Sequence, residues 1–275
     1  MRLSLITATH NRIEKLANIA YPSVLGQTSR NFEWVIINDG PDLATRNFVA
    51  QIEADLAIAY LEMEHRSEGF SLCHARNLGL DRAKGFLVAY LDDDNALLPQ
   101  FVESTIRFFQ VNPQILCSMV RQHRRRDMVR NSQIVRQGKP FIAPAPSANS
   151  ESLLVQKDIF DSNGFSHRRD NSPRWNPNTR VFADYEYFLQ CLSRWGKESF
   201  LLNPLVLVNY VQTSEGTIGK STYQEWASDL KKIWEHREQY SVLSDWDVKS
   251  WLPLLISTYE DKYKNGMNVP GFSES

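Results

Sequence analysis

Three consecutive aspartates, Asp92, Asp93 and Asp94, are the strongest candidates for chemistry in this sequence. They follow the apolar run 86–91 and are followed by Asn95. Adjacent carboxylates repel one another, and a divalent cation offsets that repulsion; Mg²⁺ and Mn²⁺ prefer such oxygen ligands. The pattern predicts a cation site that could also hold the phosphates of a nucleotide. The alternative is a solvated acidic turn that caps the next helix.

Two further polar residues lie next to predicted strands. Asp39 follows the predicted strand 33–38, and its carboxylate could accept a hydrogen bond from the ring N–H of a nucleotide base. An ordinary Asp-Gly turn explains the same residue. Arg76 lies in the predicted helix that precedes the acidic strand, where its guanidinium could pair with the aspartates or with a phosphate. A surface salt bridge would explain Arg76 equally well.

Asp184 lies near the start of a helix predicted over 182–195. If its carboxylate faces the same site as the three aspartates, it could act as a general base. Aspartate is also favoured at helix N-termini through capping and the helix dipole, and that explanation needs no catalysis. Glu186, two residues further on, points to a different helix face and is the weaker candidate.

The segment 121–130 is strongly basic, and its cationic or titratable residues are Arg121, His123, Arg124, Arg125, Arg126 and Arg130. Such a run could attract an anionic acceptor or a membrane surface. The sequence favours the interpretation of a solvated loop.

Predicted strands and helices alternate through the first half of the chain. The strands are predicted at 3–7, 33–38, 58–61, 86–91 and 115–120, and the helices at 13–25, 42–55, 72–83 and 99–110. This order predicts an α/β fold with a mostly parallel sheet, right-handed connections and helices on both faces. Ligands of such sheets bind at the carboxyl ends of the strands, so Thr9, His10, Asp39 and the triple aspartate should share one edge.

The second half of the chain is less regular. A loop rich in Pro, Ala and Ser is predicted over 139–150, a strand over 201–210, and C-terminal helices over 223–240 and 246–263. Pro22 predicts a kink or break in the first helix, and Gly26 suits its end.

Composition limits the functional classes. The formal net charge of −1 over 275 residues argues against a general nucleic-acid-binding protein. The sequence contains no apolar run of about 18 residues and no CxxC pair among its three cysteines. We therefore expect a protein of the cytoplasm, with reduced cysteines and without a secretory signal.

Taken together, these blocks resemble the large family-two group of inverting glycosyltransferases, which have a Rossmann-like GT-A fold. The resemblance covers roughly residues 3–210. Four blocks carry it in order, and they lie at 5–12, 23–40, 75–85 and 91–99. The segment 155–165 is similar to the stretch that precedes the acceptor region, and Asp184 falls where the family keeps its base.

The resemblance implies roles for the candidate residues. Asp94, in the family's DXD motif, would bind Mn²⁺ or Mg²⁺ that bridges the diphosphate, and Asp184 would take the proton from the acceptor hydroxyl. The residues that would bind the nucleotide-sugar donor are Thr9, His10, Asn11, Asp39, Arg76, Asp92 and Asp93. The sequence departs from the family pattern at Asn38, Asn95 and Ala183.

The resemblance also implies an organisation and partners. Residues 1–215 would form the catalytic domain, with a nucleotide-binding half at 1–120 and an acceptor-binding half at 121–215. Residues 216–275 would form a helical extension that could mediate homo-oligomerisation. The expected donor is a UDP-sugar that supplies a hexosyl or N-acetylhexosaminyl group, and the expected acceptor is a glycan or a lipid-linked glycan. Peripheral association with the inner face of a membrane is compatible with these partners.

Other protein classes fit less well. A Rossmann-type oxidoreductase needs a glycine-rich turn after the first strand, and residues 7–11 contain no glycine. The sequence has no GxxxxGK[ST] motif for a P-loop kinase, and it lacks the glycine-rich basic loop of a sugar nucleotidyltransferase. A non-catalytic nucleotide-sugar-binding protein with the GT-A fold stays open, because Asn38 and Ala183 depart from the family.

Overall fold

The structure is a computed structural model, and it describes residues 1–52, 56–131, 133–244 and 246–267. The strands are β1 (Leu3–Thr9), β2 (Phe32–Asp39), β3 (Ile58–Met63), β4 (Leu87–Tyr90), β5 (Ala96–Leu97), β6 (Cys117–Arg130), β7 (Gln133–Arg136), β8 (Phe141–Ala143), β9 (Phe165–Arg168) and β10 (Phe200–Thr213). The α-helices are α1 (Ile13–Lys15), α2 (Tyr21–Leu25), α3 (Leu43–Ile52), α4 (Ser71–Arg82), α5 (Phe101–Val111), α6 (Ser150–Leu154), α7 (Ala183–Trp195), α8 (Tyr223–Glu235) and α9 (Trp246–Lys264).

The strands of the described residues form one sheet in the order β3-β2-β1-β4-β9-β6-β10-β5, with β7 and β8 paired to β6. Strands β3, β2, β1 and β4 are parallel to one another, and β6 is parallel to β10. Strand β9 runs antiparallel between β4 and β6. The predicted mostly parallel α/β sheet is confirmed.

Both faces of the central strands are covered. In β2 all eight residues are buried. Trp34 and Ile36 pack in one core with α2, α3 and α5, whereas Val35 and Ile37 pack in a second core with α4, α7, α8 and α9. Successive side chains of a strand point to opposite faces, so a strand covered on both sides needs an apolar residue at nearly every position.

The first helical segment is interrupted where Pro22 predicts a break. Residues Leu16–Ala20 form a π-helical turn between α1 and α2, and Pro22 lies in the first turn of α2. Proline has no backbone N–H and crowds the preceding turn, and a wider π turn accommodates both effects. Gly26 ends the helix, as expected.

The predicted loop over 121–130 is wrong. Strand β6 continues without interruption to Arg130, because its residues 122–127 pair with 208–213 of β10 and its residues 122–124 also pair with β8. Within this strand Gln122 and Arg124 are buried. Arg124 is accommodated by tertiary partners, whereas His123 and Arg130 are exposed to solvent. β8 also lies within the predicted loop 139–150.

Two other predictions need smaller adjustments. Strand β10 contains Pro204, and the register of its pairing with β6 shifts between Asn203 and Val206. Because proline has no backbone N–H, this irregularity lets Pro204 lie in the strand without leaving a sheet hydrogen bond unmade. The helix predicted over 42–55 is observed as α3, and residues 53–55 lie outside the described part.

The C-terminal helices pack on the sheet core. Ala227 and Leu230 of α8 share a core with Leu252 and Ile256 of α9 and with α7. In the described part of the chain, no helix combines the length and the apolarity that crossing a membrane requires.

Candidate active site

One buried arginine connects the two groups of carboxylates predicted from the sequence. Nη1 of Arg76 donates to Oδ1 of Asp184 over 2.7 Å, and Nη2 donates to Oδ1 of Asp92 over 2.9 Å. Arg76 is 2% exposed, and its guanidinium lies 4.3 Å from the centre of the Trp175 ring. Burial alone would lower the pKa of Arg76, but the charges of Asp184 and Asp92 outweigh it and the pKa rises.

The position of Arg76 follows from the packing of α4 on the sheet. Gly79, one turn after Arg76, faces β1, and a Cβ there would lie 2.6 Å from Cγ2 of Ile6. The close approach of helix and strand places the Arg76 guanidinium 5.7 Å from the centre of the Tyr90 ring, at the end of β4, and next to Asp92.

A short segment before β9 completes this arrangement. Nδ2 of Asn163 donates to Oδ2 of Asp92 over 2.8 Å, and the Asp92 amide donates back to Oδ1 of Asn163 over 2.7 Å. The amide of Ser162 donates to Oδ2 of Asp184, and the Ser162 hydroxyl accepts from Arg76. Ser162 and Asn163 were not predicted from the sequence, where their signal is a polar tripeptide, 161–163, just before Gly164.

Asp93 and Asp94 contact Arg12, which the sequence analysis did not assign to the site. Nη1 of Arg12 lies 3.1 Å from Oδ1 of Asp93, and its Nη2 donates to Oδ2 of Asp94. The Thr9 hydroxyl donates to Oδ2 of Asp93 over 2.8 Å. Asp93 is 2% exposed, so its hydrogen bond with Thr9 fixes the loop 92–95 on the buried side.

Their surroundings shift the pKa values of Asp93 and Asp94. Burial raises the pKa of Asp93 to about 7, with Arg12 opposing the shift and the charge of Asp94 adding to it. Burial also raises the pKa of Asp94, again against the effect of Arg12. A second cation near Asp94 would stabilise the ionised forms of both.

The donor set fits a hard divalent cation. Two guanidiniums face four carboxylates, so the ionised cluster has more negative than positive charge, and its members are Arg12, Arg76, Asp92, Asp93, Asp94 and Asp184. Nδ2 of Asn95 donates to Oδ1 of Asp94 over 3.3 Å, and Oδ1 of Asn95 accepts from the Val211 amide over 2.9 Å. Carboxylate and amide oxygens suit Mg²⁺ and Mn²⁺.

Asp39 and two histidines form a second cluster next to Thr9. Oδ1 of Asp39 accepts from the Ser71 hydroxyl over 2.8 Å, and Oδ2 lies 3.0 Å from Nδ1 of His65. The rings of His10 and His65 stack with centroids 4.2 Å apart, and Nδ1 of His10 contacts the Asp39 carbonyl. His65, which follows β3, was missed in the sequence analysis.

The ligand atoms of His10, Asp39 and His65 lie within 4.8 Å of one another. Imidazole and carboxylate together suit a transition metal better than Mg²⁺. Asn11, which follows His10, is exposed and has a positive φ of 51°. Gly40 has a φ of 85°, and a Cβ there would lie 3.3 Å from the His10 ring, so glycine leaves room for the stacked histidines.

Two adjoining cavities contain the two carboxylates that Arg76 bridges. One, of about 140 Å³, is lined by Arg12 and residues 92–95. The other, of about 330 Å³, is lined by Asp184. They share Tyr210, Gln212 and Ile218 as walls. The three aspartates and Asp184 therefore lie on one connected surface rather than on separate ones.

Glu186 is directed away from this surface. It is 1% exposed and accepts hydrogen bonds from Gln190 and from the Tyr240 hydroxyl. It lines a different cavity, of about 940 Å³, between α7 and α8. Glu186 therefore lies on a different face of α7 from Asp184.

The chain belongs to glycosyl transferase family 2, whose family model matches residues 4–178. Among similar sequences, the chondroitin synthase of Escherichia coli is 32% identical over 113 residues, which are 41% of this chain and 16% of that protein. The matched chain spans 15 to 18% of the length of several curated relatives.

Solved structures share the fold over almost the whole chain. S. aureus TarS 1–349 in complex with UDP-GlcNAc aligns with a TM-score of 0.66 and 14% identity, over 98% of this chain and 75% of that one. The mannosyltransferase PcManGT from Pyrobaculum calidifontis, in complex with GDP-Man and Mn²⁺, aligns with a TM-score of 0.57 and 16% identity, over 96% and 74%. The fold is therefore of the GT-A type.

Proposed function

We propose that this chain transfers a sugar from a nucleotide diphosphate sugar to an acceptor hydroxyl, with inversion at the anomeric carbon. The observation that carries the proposal is the bridge from Arg76 to both Asp92 and Asp184. Through this bridge, Arg76 holds Asp184, on the proposed acceptor side, at a set distance from Asp92, on the proposed donor side. Family membership supports the same reaction class.

On the donor side, the residues after β1, β2 and β4 would hold the nucleotide sugar. His10, Asn11 and Asp39 would contact the nucleotide base. Thr9 and Asp93 would support the loop 92–95 through their hydrogen bond. A UDP-sugar is the proposed donor because TarS was crystallised with UDP-GlcNAc, although PcManGT was crystallised with GDP-Man. A base that donates to Asp39 would have to replace the contact with His65.

Asp94, which shares its cavity with Asp92, would hold Mn²⁺ or Mg²⁺. The ion would act as a Lewis acid that offsets negative charge on the departing diphosphate. The crystallised mannosyltransferase with Mn²⁺ supports this choice of metal.

On the acceptor side, Asp184 would remove the proton from the attacking hydroxyl. Both its oxygens accept hydrogen bonds, from Arg76 and from the Ser162 amide, and these contacts orient the carboxylate toward the cavity. The acceptor oxygen would then attack the face of the sugar opposite the diphosphate. In-line positioning of the two substrates supplies much of the rate enhancement in such a displacement.

A panel of UDP-, GDP- and dTDP-sugars tests the proposal, with Mn²⁺ and with EDTA. We expect one nucleotide class to raise the melting temperature in the presence of Mn²⁺, since a ligand at 100 times its Kd adds about 2.7 kcal/mol. The same donor should release its nucleotide diphosphate on incubation with the protein. Stabilisation by a donor without any such release would instead favour a non-catalytic nucleotide-sugar-binding protein.

A further inference from the structure

The basic part of β6 forms one wall of the cavity that contains Asp184. Arg124 and Arg126 are two residues apart on a strand, so their side chains lie on the same face. The sheet register places Arg124 opposite Tyr210 and Arg126 opposite Gln212. All four side chains line the cavity of about 330 Å³.

Arg124 is already neutralised. Its guanidinium lies 3.4 Å from Oδ2 of Asp161, contacts the Gln122 side chain and stacks 3.9 Å above the Tyr210 ring. The residue is 3% exposed. Its partners are all within the protein, so Arg124 belongs to the wall of the cavity and offers no free charge.

Arg126 has a different environment. Its Nε donates to Oε1 of Gln212 over 3.2 Å, and its guanidinium lies 5.8 Å from the Phe141 ring centre. Within the described part of the chain, no carboxylate forms an ion pair with it. Burial lowers its pKa, and the charge of Arg124 lowers it further. Its terminal N–H groups are therefore donors that a ligand could use.

The acidic residues around the cavity all have other contacts. Asp161 pairs with Arg124, Asp184 with Arg76, and Asp158 accepts from the Ala145 amide over 2.9 Å. A half-buried cation without a counter-ion is unfavourable until an anion binds to it.

We infer that the acceptor carries an anionic group, a phosphate or a carboxylate, that Arg126 binds in the cavity beside Asp184. This inference rests on the proposed function, because it treats that cavity as the acceptor site. An arginine fork binds either anion through two parallel hydrogen bonds. Binding there would hold the acceptor while its hydroxyl approaches Asp184.

A membrane surface is a less suitable ligand for the arginines of β6 than an anionic acceptor. Arg126 lines a confined cavity whose walls include Phe182 and Trp226, and a flat array of lipid headgroups could not enter it. On the opposite face of β6, Arg121 donates to the Pro144 carbonyl and Arg125 pairs with the buried Asp127. Those two cations are engaged within the protein.

Titration with inorganic phosphate tests the inference, in the presence of UDP and Mg²⁺ so that the donor side is filled. We expect Arg126→Gln to weaken phosphate binding at least tenfold and Arg126→Lys to weaken it less. Arg121→Gln, on the other face of the same strand, should match the parent. Circular dichroism and melting temperature check that each variant is folded. Equal phosphate affinity in Arg126→Gln and the parent would overturn the inference.

Vesicles distinguish a soluble anion from a lipid headgroup. We expect the parent and Arg126→Gln to cosediment equally with phosphatidylglycerol vesicles. Loss of vesicle binding in Arg126→Gln, with phosphate binding unchanged, would assign the residue to a membrane and overturn the inference. Failure of the proposed function has a separate sign, since the parent would then release no nucleotide diphosphate while phosphate binding could still be measured.

Discussion

Nη1 of Arg76 lies 2.7 Å from Oδ1 of Asp184, although 108 positions separate the two residues in the chain. Because the same guanidinium also binds Asp92, the spacing between the proposed donor and acceptor sides is set by one side chain of α4.

Arg76→Lys should reduce turnover strongly while leaving a folded protein. A lysine keeps the charge but presents a single ammonium, which cannot hold two carboxylates and Ser162 in the geometry of a planar fork. We expect a loss of at least tenfold in kcat, measured with the donor identified by the nucleotide panel. Arg82→Lys, at the C-terminal end of the same helix, is the matched control. Full activity in Arg76→Lys would show that the bridge is dispensable.

Asp184→Asn should lower kcat by about 10² to 10⁴, the usual contribution of a general base. The amide oxygen can still accept from Arg76, so donor affinity should be retained. Kd for the nucleotide and kcat are the two measurements. Asp170→Asn, an exposed carboxylate outside the site, is the control. Unchanged turnover in Asp184→Asn would remove this residue from the base role.

Asp94→Ala should abolish the effect of Mn²⁺ on nucleotide binding and with it the transfer. The variant removes the proposed ligand, and it leaves Arg12 paired with Asp93 only. The check is a thermal shift with UDP, in Mn²⁺ and in EDTA. Asp81→Ala, whose carboxylate is exposed and paired with Arg174, should behave like the parent. A Mn²⁺-dependent shift that survives in Asp94→Ala would place the metal elsewhere.

His167 should make the protein less stable in mild acid. Its ring is fully buried, and burial lowers its pKa from 6.5 to about 4. Between these values the unfolded chain binds a proton that the folded chain does not, so stability is complete above pH 6.5 and falls as the pH approaches 4. The shift corresponds to about 3 kcal/mol.

Urea denaturation at pH 7.5 and pH 5 measures this effect. His167→Gln should lose stability at pH 7.5, because Nε2 of His167 lies 2.9 Å from the Tyr90 hydroxyl, but it should lose less further stability on acidification than the parent. His236→Gln, at an exposed histidine, should keep the pH dependence of the parent. An identical pH dependence in His167→Gln would contradict the assignment.

Gly79→Ala should destabilise the protein by about 1–3 kcal/mol, as overpacking commonly does. The new Cβ would lie 2.6 Å from Cγ2 of the buried Ile6, and this clash outweighs the better helix propensity of alanine. A double-mutant cycle with Ile6→Ala measures the coupling by urea unfolding. Strictly additive effects would show that the two residues do not press on each other.

The edge that carries Asp39 and Asp92 could be predicted because each follows a continuous apolar strand, and parallel strands end on the same side of a sheet. Asp184 could be placed near them only through the resemblance to a family. Its contact with Arg76 depends on how α7 and α4 pack, and no local pattern encodes that packing.

The residues missed by the sequence analysis share a physical reason. Arg12 contacts Asp94 across 82 positions, and Asn163 contacts Asp92 across 71. Both lie in irregular segments, where hydrophobic periodicity gives no information about side-chain direction. The wrong prediction of a loop over 121–130 also reflects distant contacts, because the partners that allow Arg124 to be buried are Asp161 and Tyr210.

The tripeptide 161–163 has a consequence for how this protein can diversify. Asp161 pairs with Arg124, Ser162 binds Asp184 and Asn163 binds Asp92, so an insertion or deletion there would displace Arg124, Asp184 and Asp92 together. Strand β7, by contrast, is exposed at all four residues and, among the described strands, pairs with the far end of β6. Insertions in that outer hairpin should therefore leave Arg76 and its carboxylates in place, whereas the tripeptide must keep its length.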